Sequence, residues 1–403
     1  GLTTIQSNGE PGNDDVTMYL RGVSTTNGAE PLILVDGVPR QSIREIDVNE
    51  VANISVLKDA SATAVFGVRG ANGVILVTTR RGEKGKVEVH PSVQYSMQSF
   101  SRKRTRVNSW DYVTLLNEAR ANEGLTAAFT PEETALFESW RNGGPEDPDD
   151  RYWYPNTDWH DILFKDYASM VRANVDISGG SDKLQYFVNA GYLYQGGMYN
   201  TESKSKLGYD PQSTLNRYNF RSNIDYKFSN YVKASVDVSS FIEKVNGTNG
   251  SKEVIYATGL TNSPTTPGPT TPEGTDYMVQ NGGVFRPVRP GQVINDPTQG
   301  TEPAYGHLNR KGYRLETRSG LNIIGNLNVD LSFITKGLSA KGLVSFESRA
   351  YDTRTANRDF VIYKFSRTPV PGVDGPYFLY DGDDDEDTPI SLSRGVSSGW
   401  LLN

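Results

Sequence analysis

Cysteine is absent from the chain, and histidine occurs only at His90, His160 and His307. Zero cysteine removes disulfide frameworks, thiolate metal sites and cysteine nucleophiles, and leaves the compartment open. The histidines lack metal-ligand spacing, which argues against zinc. Neither H-E-x-x-H nor G-x-S-x-G occurs, and no two carboxylates stand out as a glycosidase acid and nucleophile. There is no basic block and the net charge is −7, so nucleic acid is not expected as a partner. No apolar run approaches the ~20 residues of a membrane-spanning helix. The longest are strand-length, such as residues 73–77. That excludes a helical membrane protein but not a membrane β-barrel, whose alternating strands keep mean hydropathy low, here −0.53. The 403 residues suggest more than one domain, or one large β domain. With no initiator methionine, no signal peptide and a last stretch reading "SSGWLLN", the expectation is an internal piece of a longer protein.

Residues 1–85 read as a small α+β module. Its strand candidates are "VTMYLRG" (16–22), "PLILVDGVP" (31–39), "NISVLKD" (53–59) and "GVILVTTR" (73–80), with turn residues between them. "DASATAVFG" (59–67) predicts a helix capped by Asp59 and stopped by Gly67, and "NEVAN" (49–53) one further helical turn.

From residue 86 the period changes to two. In "KVEVHPSVQYSMQSF" (86–100), Val87, Val89, Val93, Tyr95 and Met97 share one face, and Lys86, Glu88, His90, Ser92 and Gln94 the other. Six more such segments follow, at residues 171–179, 184–195, 217–228, 231–243, 321–333 and 338–350. The connections alternate strictly between tight turns (180–183, 229–230, 335–337) and long loops (101–170, 196–216, 244–320, 351–403). An up-and-down membrane barrel has that property, with short turns on one side and long loops on the other, and a soluble sandwich has no reason to. The first long loop predicts two helices. One is capped by Asn108 with Asp111 at the capping-box position; the other is capped by Thr130, with Pro131 first and Glu133 closing the box. The loop 244–320, rich in Pro, Gly and Thr, reads as irregular.

Alternation by itself does not say which face is inside. A soluble barrel is polar outside; a membrane barrel is apolar outside and polar within. Strand length, lopsided loops and aromatics near strand ends (Tyr95, Phe100, Tyr192, Tyr194, Phe228, Tyr231, Phe333, Tyr351) favour the membrane barrel.

"DASATAVFGVRGANGVILVTTRRG" (59–82) sets Gly67, Gly70 and Gly73 at three-residue spacing before a strand. No Gly-Lys-Ser/Thr follows and no helix comes next, so a phosphate loop is not supported. Together with "PGNDDVTMYLRG", "PLILVDGVP" and "ISVLKD", the stretch resembles the plug signature of SusC/RagA-type TonB-dependent transporters of Bacteroidota outer membranes. "NTDWHDILFKDYASMVRANVDISGGSDKLQYFVNAGYLYQGGMYN" resembles the early barrel of the same family. The resemblance implies a mainly β fold: a transmembrane antiparallel barrel of about 22 strands, with a small α+β plug inside its lumen. About seven strands would lie here, with the plug's C-terminal part at 1–85 and the barrel's N-terminal part at 86–403. Seven strands do not close so wide a barrel, so the piece alone is expected neither to fold well nor to transport.

The resemblance marks Arg21, Asp36, Gly37, Asp59, Gly67, Arg69, Gly70 and Gly73 as structural plug residues, with the glycines allowing tight turns and close backbone approach. Arg21 and Arg69 have two readings. Either they bond lumenal carboxylates such as Glu88, Asp176, Asp225, Asp237 or Asp330, or they make contacts within the plug. Trp153, Tyr154 and Trp159, near Tyr152, form an aromatic loop suited to a glycan or a partner, with packing as the plainer reading. "DGDDDED" (381–387) reads as a solvated loop, with Ca²⁺ as the alternative. No other cofactor and no enzymatic activity is expected.

The implied function is active import of an oligosaccharide or peptide across the outer membrane. The implied partners are a SusD-like surface lipoprotein as lid and TonB acting through a segment not present here. The rival reading is a SusC-like barrel serving as a structural subunit of a larger outer-membrane assembly.

Overall fold

The computed structural model describes residues 2–402 apart from 7, 14, 21–28, 41, 59–63, 103–105, 274–277, 282, 296–302, 369, 374 and 381–386. Strands β1 (Thr3–Gln6) and β2 (Val16–Tyr19) pair antiparallel. Strands β3 (Leu32–Val35), β4 (Val38–Arg40), β5 (Val51–Leu57) and β6 (Val74–Thr79) form a four-stranded sheet in the order β4-β3-β6-β5. The central pair, β3 and β6, is parallel, as the continuous apolar runs "LILV" and "VILV" require of strands covered on both faces. Met18, Leu20, Ile33, Val35, Ile75 and Val77 make the core beneath them. The single strand expected over 31–39 is instead a hairpin. Asp36 (φ 49°) and Gly37 (φ 89°) both take positive φ, the two-residue turn that Asp-Gly favours. The helical turn expected over 49–53 is a 3₁₀ turn at Val48–Glu50, where the Asp47 carboxylate accepts from the Asn49 N–H at 2.8 Å. Of the helix expected over 59–67, only a kinked 3₁₀ segment at Ala64–Gly70 is described, and Asp59 lies outside the described residues.

The barrel wall is one eight-stranded antiparallel sheet. Its strands are β7 (Gly85–Gln98), β8 (Ala168–Gly180), β9 (Leu184–Gly196), β10 (Thr214–Lys227), β11 (Val232–Thr248), β15 (Gly312–Asp330), β16 (Ser339–Asn357) and β19 (Ser391–Leu402). The sheet is open, with β7 and β19 at its edges. The eighth strand corrects the reading of 351–403 as one loop: "SLSRGVSSGWLL" does alternate, with Leu392, Val396, Trp400 and Leu402 on one face, but Arg394 and Ser398 interrupt that face. The strands also run further toward the long loops than expected, β15 and β16 reaching 19 residues each. A bilayer needs only about 9–11, and beyond it polar residues such as Arg314 and Glu316 alternate without a hydrophobic signal.

The loop 244–320 is not irregular. Its β12 (Met278–Asn281), β13 (Val284–Pro287) and β14 (Val293–Asn295) join β17 (Ile362–Ser366) and β18 (Tyr377–Tyr380) in a five-stranded mixed sheet. Partners far apart in sequence made it illegible locally. The first long loop carries helices at Ser109–Asn122 and Pro131–Glu138. The Thr130 capping box closes in both directions, whereas Asn108 occupies its cap position without a side-chain bond.

The two faces of the wall settle the orientation that alternation left open. On β10, Arg217, Asn219, Arg221 and Asn223 are buried, while Tyr218, Phe220, Ile224 and Tyr226 are exposed. Asp237 and Glu243 on β11 are buried, and Val236 and Ile242 are exposed. Polar inside and apolar outside is the polarity of a membrane barrel. No described helix is long and apolar enough to cross a membrane, which says nothing of strands.

Candidate functional site

The small module sits against the polar, concave face of the wall, and the contact between them is built from charge. Buried charges persist only when paired and hydrogen-bonded. Three levels can be followed along the wall. At the first, Glu243 (2% exposed) is surrounded by three arginines: Arg217 at 2.5 Å and Arg318 at 3.2 Å from the wall, and Arg44 at 2.9 Å from the module. Arg217 also donates to the Arg44 carbonyl at 2.6 Å, and Arg318 to that of Gly12 at 2.9 Å. Toward the second level, a chain of four charges joins the module to β16, whose Glu347 stands in register with Arg221 through Ser239 and Asn322. Arg40 pairs with Glu347 at 2.5 Å, Glu347 with Arg349 at 2.5 Å, and Arg349 with Glu45 at 3.0 Å. Burial pushes the Glu45 carboxyl up, against the pull of Arg349.

At the second level, among the described residues, the ion pairs of Arg221 are all with the module. Its Nε donates to Glu50 at 2.7 Å, and Asp36 lies 3.8 Å away. Asp36 is fixed by its hairpin turn and by Thr79, whose N–H and hydroxyl donate to it at 3.0 and 2.7 Å. Burial raises the Glu50 carboxyl, opposed by Arg221.

At the third level one residue, Arg81, serves two wall carboxylates. Its guanidinium meets Asp237 at 2.7 Å and Asp225 at 3.2 Å, in forked geometry. Beside it Arg80 lies 3.5 Å from Asp176, to which Asn189 donates at 2.6 Å. Asn223 donates to the Thr79 hydroxyl at 3.0 Å and the Arg80 carbonyl at 2.6 Å. Gly82 then passes the β9 backbone so closely that a Cβ would lie 2.3 Å from the Tyr186 main chain. The wall's own arginines therefore satisfy the first level, whereas the second and third depend on the module.

The residues singled out from sequence are distributed as follows. Arg21 and Asp59 lie outside the described residues. Asp36 and Gly37 form the hairpin turn and bring Asp36 to Arg221. Gly67 (φ 58°) makes the kink, and a Cβ on Gly73 (φ 95°) would meet Leu20 at 2.5 Å. The Gly70 carbonyl accepts from the Gly73 N–H at 2.9 Å. Arg69 is exposed and, among the described residues, makes no hydrogen bond or ion pair. Of the lumenal carboxylates, Asp176, Asp225 and Asp237 do face the module, but Arg80 and Arg81 take them. Glu88 lies 4.0 Å from His90, and Asp330 accepts from the Ser332 N–H at 2.8 Å within a turn. Sequence reasoning passed over Arg80 and Arg81. The signal was present: two adjacent arginines ending the last strand, just before a wall rich in carboxylates.

Above the module the long loops pack into a vault. Trp153 is buried in the core of the five-stranded sheet with Val279, Ile294, Tyr363 and Phe378. Trp159 (2% exposed) donates its indole N–H to the Ser263 carbonyl at 3.0 Å. Tyr154 is half-buried beside Phe137. Trp153 and Trp159 are thus packed away from solvent, whereas Tyr154 stays partly exposed. Arg367 ties three loops together: it donates to the carbonyls of Trp153 (2.8 Å) and Thr265 and lies 4.8–5.4 Å from the ring centres of Phe365, Tyr154 and Phe137. Glu202 gathers Arg310, Tyr305 and Lys206. Burial pushes its carboxyl up, but those hydrogen bonds outweigh it and hold the pKa at about 2. Where vault and module meet, Glu10 is buried and bonded by Tyr199 and Lys252. A cavity of about 630 Å³ opens there, lined among others by Glu10, Gln98, Gln195, Tyr199 and Tyr256.

Among the described residues, no group of three or more histidine, aspartate or glutamate side chains is arranged to hold a metal ion. His307 Nδ1 accepts from the Ser251 N–H at 3.0 Å, and His160 packs against Phe100 and Phe164. The acidic run 381–387 lies outside the described residues except for Asp387, which pairs with Arg358 at 3.2 Å.

Residues 1–74 match the family model of the TonB-dependent receptor plug domain. The TonB-dependent receptor P26 of Formosa agariphila is 31% identical over 274 residues, 66% of this chain and 24% of that protein. The TonB-dependent receptor SusC of Bacteroides thetaiotaomicron is 31% identical over 214 residues, 50% of this chain and 19% of that protein. The chain thus spans a quarter or less of the length of these relatives. Among solved structures, the RagAB peptide importer in its open-open state has a TM-score of 0.64 at 18% identity. That match covers 99% of this chain and 41% of the importer chain, and speaks for the fold alone.

Proposed function

We propose, from the premise that the chain belongs to the SusC/RagA-type TonB-dependent transporters of the outer membrane, that the full-length protein actively imports a large nutrient. The substrate would be an oligosaccharide or a peptide, entering between the long loops and the plug. A SusD-like surface lipoprotein would close over the loops, and TonB would pull on the plug from the periplasm. One observation carries this reading: the plug is held in the lumen by ion pairs and hydrogen bonds rather than by a continuous apolar core. Polar contacts exchange with water at far lower cost than an apolar interface does, so such a plug can seal the pore and still rearrange. The chain supplies binding and gating, and the reading needs no covalent chemistry and no cofactor.

The test is affinity purification of the full-length protein from its own outer membrane, with identification of what co-purifies. A single SusD-like lipoprotein with bound glycan or peptide supports import and reveals the substrate class. A large assembly of unrelated outer-membrane proteins without ligand would replace this reading with a structural subunit.

A further inference from the structure

A row of lysines crosses the short-turn end of the wall. Lys227 on β10 stands directly opposite Lys233 on β11, Lys233 opposite Asn328 on β15, and Asn328 opposite Lys341 on β16. On the other side, the Lys227 N–H donates to the Lys183 carbonyl at 2.7 Å, which continues the row into the turn between β8 and β9. Like charges directly opposite one another destabilise an antiparallel sheet. Among the described residues, none of these four ammonium groups has an ion pair. Of the nearby carboxylates, Asp225 is held by Arg81 and Asp182 by Lys84 at 2.7 Å, with Lys227 adding a weaker charge interaction to Asp182, and Asp330 accepts from Ser332 within its own turn.

Strands β10, β11 and β15 are interior, with both neighbours present, so no further barrel strand inserts beside them. A fixed counter-charge for the whole row would come from outside the sheet. Next to the row, a cleft of about 370 Å³ opens between the plug–barrel connection and β7–β8, lined by Arg80, Arg81, Lys84 and Lys86 together with Glu83, Glu88 and Asp176.

We propose that this end of the barrel is a docking surface for an acidic, extended polypeptide segment of a periplasmic partner. Short turns of outer-membrane barrels face the periplasm. Lys227 and Lys233 share the strand parity of Asp225, Asp237 and the other plug-facing residues, so the row belongs to the mouth of the lumen rather than to the lipid face. That placement disfavours lipid headgroups as the occupant. Five adjacent positions at ~4.8 Å spacing span roughly 19 Å, the reach of about six extended residues. A single small anion would satisfy one lysine pair and leave the others.

The test uses the full-length protein in phosphatidylcholine nanodiscs and a fluorescein-labelled hexaglutamate peptide, followed by anisotropy at low and moderate salt. Binding is expected to weaken about tenfold in the K227Q/K233Q/K341Q variant. It is also expected to weaken with salt, as exposed charge contacts do. Hexaglutamine should not bind. The triple variant should melt no lower than the parent, because it relieves like-charge contacts, so loss of binding is separable from misfolding. The proposal is overturned if the parent does not bind at low salt, or if the triple variant binds as well. It is equally overturned if phosphatidylglycerol nanodiscs abolish peptide binding to the parent, since lipid would then own the lysines.

Discussion

Arg81→Ala tests the unequal division of charge between plug and wall. Asp237 is 1% exposed, and Arg81 and Asp225 are about one-third exposed, at 32% and 35%. Removing one partner of a fully buried pair costs ~3–5 kcal/mol. Water reaches the Arg81 side, so the expected cost is about 2 kcal/mol, mostly from Asp237 left charged without a cation. Arg44→Ala is the control. Glu243 would keep Arg217 and Arg318, and the expected cost is below about 0.5 kcal/mol. The difference of ~1.5 kcal/mol corresponds to about a tenfold larger open fraction for R81A than for R44A. Hydrogen exchange over residues 74–86 of the full-length protein, paired with entry of a dye-labelled solute too large for porins, reads that fraction. Adding Asp237→Asn to R81A removes the orphaned charge and should restore at least half of the loss. The reasoning fails if R44A opens the plug as much as R81A, or if R81A/D237N is no tighter than R81A.

Glu202 gives a pH dependence. Its carboxyl is depressed from 4.5 to about 2, so its stabilisation is complete above the unfolded value and disappears as pH falls from ~4.5 through ~2. The shift corresponds to at most about 3 kcal/mol, and Glu202→Gln should abolish that acid dependence in protease protection of the loops. Arg367→Ala should loosen three loops at once by ~2 kcal/mol, with Arg367→Lys recovering little because the fork and the ring stacking are lost; limited proteolysis within residues 244–320 reports it. Gly82→Ala sets a Cβ against backbone that has no side chain to move, and should cost ~1–3 kcal/mol and shift the plug–barrel connection, visible as faster exchange at residues 79–86.

How much of this was legible depends on whether a residue's partner lies nearby in sequence. The period-two segments located seven of the eight wall strands because each carries its own alternation. They missed β19, whose alternation is interrupted by Arg394 and Ser398. The Thr130 capping box was readable because cap and responder are three residues apart. The five-stranded loop sheet was not, because β12 and β18 pair across about a hundred residues. Asp36 was marked only as a structural plug residue, and its role beside Arg221 needed the plug in place.

Local propensity and period were enough for the tight turns and for one polar and one apolar face per strand, but not for the plug sheet, whose order and β3–β4 hairpin depend on pairing. Alternation is symmetric under exchange of the two faces, so the apolar-out assignment rested instead on strand length, loop asymmetry, strand-end aromatics and the family resemblance. The fold bears that assignment out by seating a charged module against the polar face. Only the tertiary structure paired Arg81 with Asp237 and Glu243 with three arginines. Long flexible cations choose partners by distance in space, and sequence spacing holds no record of that distance.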